Sequence, residues 1–168
     1  MSFGAFGLLL FLLNQNHDTS AIQRLGQQFI NKIVEENNLK SVQFFIGSPY
    51  PNNQLINFIR TNIFATLEFS DGSSQVICDP QWSRVMTEQE IKANLAHEMG
   101  HANASEKGLE NTQINADAFA TRYVSPGVLI GILKRLQFFL GEVNPDILKN
   151  NPNEIPDRIA ALEKMIPK

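Results

Sequence analysis

Five residues, His97-Glu98-Met99-Gly100-His101, restrict this chain more than any other stretch, because they make chemical sense together only on an α-helix. Residues four apart on a helix lie one turn above each other, so His97 and His101 can aim their imidazoles at one ion. Glu98 falls too far round the helix to be a ligand, but it is well placed to take a proton from a water at that ion. Zinc is the metal this pattern suits, and the chemistry it implies is hydrolysis of a peptide bond. The helix also has a readable start. Thr87 followed three residues later by Glu90 forms a capping box, which puts both histidines inside a helix and not in a loop. Ile91, Leu95 and Met99 make an apolar stripe, with Asn94, His97 and His101 on the stripe beside it. Gly100 is a poor helix former and predicts close backbone packing at that point. The bland alternative is a solvated helix with two surface histidines, yet the chain has only three histidines and two are here.

A chain of 168 residues predicts a single domain, 1–168, able to bury a core without disulfide staples. A net charge of -3 and the lack of any basic block argue against nucleic acid as a partner. Cys78 is the sole cysteine, which excludes an internal disulfide and fits a reducing, cytoplasmic compartment. Residues 1–16 are dominated by the apolar run Phe3 to Leu13. That run falls short of the roughly 20 residues that cross a bilayer, so no transmembrane span is expected. A basic n-region and a cleavage site are lacking too. Three readings of the segment stay open: a buried core element, a segment that contacts a membrane surface or a partner, and a pro-segment lying in a cleft.

Asp18, Thr19 and Ser20 offer caps for a helix in which Ile22, Leu25, Phe29, Ile30, Ile33 and Val34 recur at helical spacing, ending near Asn37-Asn38. His17, just before it, reads as a surface histidine. Val42 to Ile46 reads as a strand closed by Gly47-Ser48-Pro49, and Pro51-Asn52-Asn53 as a loop. A hairpin follows, with arms Ile63–Phe69 and Gln75–Cys78 around a turn at Ser70-Asp71-Gly72-Ser73. Either arm could serve as an edge strand that pairs with an extended peptide, and Ile77 to Asp79 is the preferred one. Cys78 reads as small core filler, the alternatives being a thiolate ligand or an inhibitory switch. The histidine helix is expected to run out after Ala102 into a turn over Asn103–Gly108. A second helix, from about Glu110 to Val124, should bring a third zinc ligand, for which glutamate is the usual choice. Asp117 on that helix would accept a hydrogen bond from a ligand histidine and fix its tautomer. The helix Val128 to Leu140 carries a wide apolar face, with Lys134, Arg135 and Gln137 opposite.

His97-Glu98-Met99-Gly100-His101, then Ala116-Asp117-Ala118-Phe119-Ala120, then Ile155-Pro156-Asp157-Arg158-Ile159-Ala160-Ala161-Leu162 together resemble the catalytic core of the HtpX-like gluzincins. That family includes the CAAX prenyl proteases and the small soluble minigluzincins, and the resemblance covers roughly residues 60 to 165. It implies an α+β, zincin-like metallopeptidase fold with an α/β upper part holding the active-site helix and a helical lower part. It also implies a zinc-dependent endopeptidase. The family's third ligand is a glutamate four residues before the aspartate matching Asp117, a position held here by Gln113. A glutamine oxygen can bind zinc but is neutral. Glu110 is the nearest carboxylate on the same face, and it could substitute if the helix begins early enough. Asn151 stands where the family usually carries a histidine. Arg158 is retained, and is read either as a contact to substrate and transition state or as a salt bridge.

Two functions are therefore expected. In the first, His97, His101 and Gln113 or Glu110 hold zinc, Glu98 is general base and then acid, and a peptide or protein is cut. In the second, a catalytically impaired relative uses the same cleft to hold a peptide or partner. Gln113 and Asn151 favour the second; the intact Glu98 favours the first.

Overall fold

The protein is α+β, mostly helical with a small three-stranded sheet, in a computed structural model that describes residues 19–47, 64–143, 149, 152 and 154–167. The readings made for Phe3–Leu13, His17, Pro51-Asn52-Asn53 and Asn151 lie outside the described residues. The chain divides into two compact units, Met1–Ile91 and Lys92–Lys168.

In the first unit, α1 (Thr19–Asn37) buries Ile30 and Ile33 completely. It stops where expected because Asn38 takes a left-handed φ of 53°. Two reverse bonds, Asn38 N to Glu35 O and Leu39 N to Val34 O, then satisfy the last carbonyls, a Schellman ending. Strands β1 (Val42–Ile46), β2 (Phe64–Glu68) and β3 (Ser74–Cys78) form a sheet in the order β1-β3-β2. The β2–β3 hairpin is antiparallel, with Thr66 opposite Val76, and its turn is held by Asp71, whose Oδ1 accepts from Ser73 N at 2.9 Å. Strand β1 runs parallel to β3.

This order corrects the expectation that Ile77 to Asp79 forms an edge. β3 is the middle strand of the described sheet, with its backbone groups paired on both sides. The consecutive run Val76-Ile77-Cys78, all fully buried, is what a strand covered on both faces requires. Two backbone groups on the outer edge of β1 are taken up as well. Gln27 of α1 donates from Nε2 to Val42 O at 2.9 Å and accepts from Phe44 N at 2.7 Å, so its carboxamide imitates a neighbouring strand. Cys78 is core filler, and burial, reinforced by the nearby charge of Asp79, pushes its thiol far above the usual range. One short helix, α2 (Pro80–Ser83), was not expected. Asp79 caps it by accepting from Gln81 N at 2.7 Å, and Pro80 takes the first helical position, where its missing N–H costs nothing.

Helix α3 (Glu88–Glu106) begins on the capping box. Glu90 Oε2 accepts from Thr87 N at 2.8 Å, and Thr87 Oγ1 accepts from Glu90 N at 3.3 Å. Ile91, Leu95 and Met99 are buried as the stripe requires. The helix runs four residues beyond the expected end at Ala102, because Asn103-Ala104-Ser105-Glu106 is competent helix sequence with Ala104 buried. The true stop is Gly108, at φ +63°, with Gly108 N bonded to Ser105 O and Leu109 N to Ala104 O, a second Schellman ending. Helix α4 (Gln113–Ala120) starts later than expected. Thr112 is its N-cap, accepting from Asn115 N at 3.2 Å. Helices α5 (Pro126–Val143) and α6 (Glu154–Glu163) pack on each other, and α6 packs on α4. Leu129, Ile130, Ile132 and Leu133 of α5 are buried, and Lys134, Arg135 and Gln137 are exposed. Among the described residues no helix is long and apolar enough to cross a membrane.

Candidate functional site

The second unit brings His97 and His101 of α3, Gln113 and Asp117 of α4 and Arg158 of α6 together. The close approach that makes this possible is at Gly100. A Cβ there would sit 2.7 Å from the Cα of Ala116 and 2.9 Å from its carbonyl oxygen, so α3 and α4 touch backbone to backbone between the two histidines. Gln113 and Asp117, one turn apart on α4, straddle Ala116 and reach His97 from two sides.

The two rings stand edge to face, with centroids 4.8 Å apart and planes at 86°. Each ring has a hydrogen-bond acceptor behind its Nδ1. His97 Nδ1–H donates to Asp117 Oδ1 at 2.8 Å, and His101 Nδ1–H donates to Asn111 Oδ1 at 2.5 Å. A carboxylate and an amide oxygen can only accept, so in each neutral ring the proton sits on Nδ1 and the lone pair on Nε2. The two Nε2 atoms face each other at 3.2 Å, and Gln113 Oε1 lies 3.1 Å from His97 Nε2. His97 Nε2 thus has two further lone-pair atoms beside it, with no donor hydrogen among the three. Ligands about 2.0–2.1 Å from a four-coordinate zinc ion sit about 3.3 Å from one another, so the spacing and the donor chemistry fit such an ion.

Asp117 is 1% exposed. Burial pushes its carboxyl up, but the hydrogen bonds and charges of His97 and Arg158 outweigh that and hold it below the usual carboxylate range. Arg158 grips it with two bonds, Nε to Oδ2 at 2.7 Å and Nη2 to Oδ1, the oxygen that His97 also uses, at 2.9 Å. Arg158 is aimed inward because Ile155 and Leu162, on its own face of α6, are buried. Of the two readings of Arg158, its salt bridge to Asp117 is therefore present, and the Nε and Nη2 nitrogens are committed to it.

Glu98 is half-buried, one residue on from His97 and about 100° round the helix. Glu110 is exposed and precedes α4, so it is not one helical turn before Gln113 on a shared face. Among the described residues no group of three His, Cys, Asp or Glu side chains could hold a metal, and the third lone-pair atom is an amide oxygen. Asn111 is the site residue that the sequence pattern did not reveal. It lies in the turn between α3 and α4, where no periodicity ties a residue to a partner ten positions away. No family model, curated protein or solved structure matches the chain.

Proposed function

We propose that this chain is a zinc-dependent endopeptidase with a zincin-like fold of the HtpX-like gluzincin kind. The observation that carries the reading is that His101 Nε2 and Gln113 Oε1 both stand beside His97 Nε2, with an acceptor behind Nδ1 of each ring. These three atoms would hold the metal. Zinc held there would supply Lewis acidity toward the scissile carbonyl and toward a water. Glu98 takes the proton from the attacking water and returns it to the leaving amine. Asp117 orients His97 and stays ionised because Arg158 and His97 share its charge.

A second reading, a cleavage-impaired relative that holds a peptide or partner, is favoured by one observation. The third donor is neutral, so a bound dication keeps its full charge instead of sharing it with a carboxylate.

Casein digestion and zinc analysis on the wild type and on Glu98→Gln test the first reading. The variant should keep its zinc, since Glu98 is no ligand, and should lose hydrolysis by at least about a hundredfold. A variant that cuts as well as the wild type overturns the role given to Glu98.

A further inference from the structure

We infer that Asn111 is the positioning residue for His101, doing for that histidine with a neutral amide what Asp117 does for His97 with a carboxylate; this rests on the metal-centre reading above. His101 is half-exposed and the atom beside its Nδ1 is an amide oxygen where His97 has a carboxylate, yet it must present Nε2 as a lone pair to share an ion with His97. The Oδ1 of Asn111, an acceptor 2.5 Å from Nδ1, keeps the proton on Nδ1.

Asn111 is itself exposed, and an exposed loop side chain holds a geometry only if its backbone is held. The turn around it is pinned at both ends. The Schellman ending at Gly108 fixes its start on α3. Asn115 fixes its end twice, donating from Nδ2 to Glu110 O at 3.0 Å and from its backbone N to Thr112 Oγ1 at 3.2 Å. The residues on either side of Asn111 are therefore both tied to Asn115 of α4, and its amide is delivered to His101 at low entropic cost.

The test reads the metal-free protein and the zinc complex separately. Long-range nitrogen–proton NMR correlations report which nitrogen of His101 carries the proton, and competition with a chromophoric chelator reports zinc affinity. In the wild type His101 should carry Nδ1–H. Asn111→Ala should convert it to a mixture of tautomers and weaken zinc binding roughly 10- to 100-fold, with the amide spectrum of the rest of the chain unchanged. Asn111→Asp, which keeps the acceptor, should restore both the tautomer and the affinity. An Nε2–H tautomer in the wild type, or an Asn111→Ala protein with unaltered tautomer and affinity, overturns the proposal. A wild type that binds no zinc overturns the metal-centre reading, while the tautomer of the metal-free protein still decides the hold of Asn111 on His101.

Discussion

In the proposed metal centre, Gln113 is the residue on which the balance between cutting and merely binding would turn. Its Oε1 stands 3.1 Å from His97 Nε2, so there it would take a ligand's place while bringing no charge. A carboxylate there would add charge-assisted binding to a dication, and Gln113→Glu should raise zinc affinity at least about tenfold in chelator competition. If the wild type cuts casein poorly and Gln113→Glu cuts well, the chain is an enzyme held back at this one position. Unchanged zinc affinity would mean that this side chain is not a ligand. The Asp117–Arg158 pair sets a different dependence. A carboxyl held below its ordinary value contributes stability that is fully present above about pH 4 and is lost as pH falls through the folded-state value. Removing Arg158 leaves a carboxylate that is 1% exposed with His97 as its remaining partner. Arg158→Ala should thus cost about 3 kcal/mol in urea unfolding at pH 7 and move the acid unfolding midpoint to higher pH. An unmoved midpoint would show that the pair does not set acid stability.

At the scale of elements, the crossing of α3 and α4 at Gly100 and Ala116 is the joint that sets how Gln113 and Asp117 stand to His97. Alanine is the better helix former by about 1 kcal/mol, so on an isolated helix Gly100→Ala would stabilise. Here the added carbon would meet backbone atoms at 2.7 and 2.9 Å, which cannot rotate aside. The substitution should destabilise by about 1–3 kcal/mol and should also weaken zinc binding, because α4 carries Gln113 and Asp117 away as it retreats. A rise in melting temperature would contradict the crossing. The glycine was legible as a sign of close packing because nothing else explains it inside a helix. Element ends were less legible. Ala102 looked like the end of α3 because Asn103 and Ser105 are turn formers in isolation, and the stop came only at Gly108, where a left-handed residue was affordable. The central place of β3 was hidden too. A hairpin read from sequence has two arms, and nothing local announces that β1, some 30 residues earlier in register, adds to the second arm in parallel.

For the whole molecule, the helical unit can be read as a scaffold that arms two histidines: α3 bears them, α4 and its preceding turn back them, and α6 neutralises the buried charge. The α+β character was visible in the alternation of strand and helix patterns, the shared face of His97 and His101 in their spacing of four, and the tie between Asp117 and a histidine in the need of a ligand histidine for an acceptor behind it. Asn111 and the hold of Gln27 on the edge of β1 were not visible, since both depend on where a loop or a distant side chain arrives in space. Whether these parts form a metal centre is tested most directly by elemental analysis of the purified chain after equilibration with zinc and removal of free ion. One zinc per chain in the wild type, and none in a protein carrying both His97→Ala and His101→Ala, is the result expected. No stoichiometric metal in the wild type, or the same content in the double variant, would contradict the account.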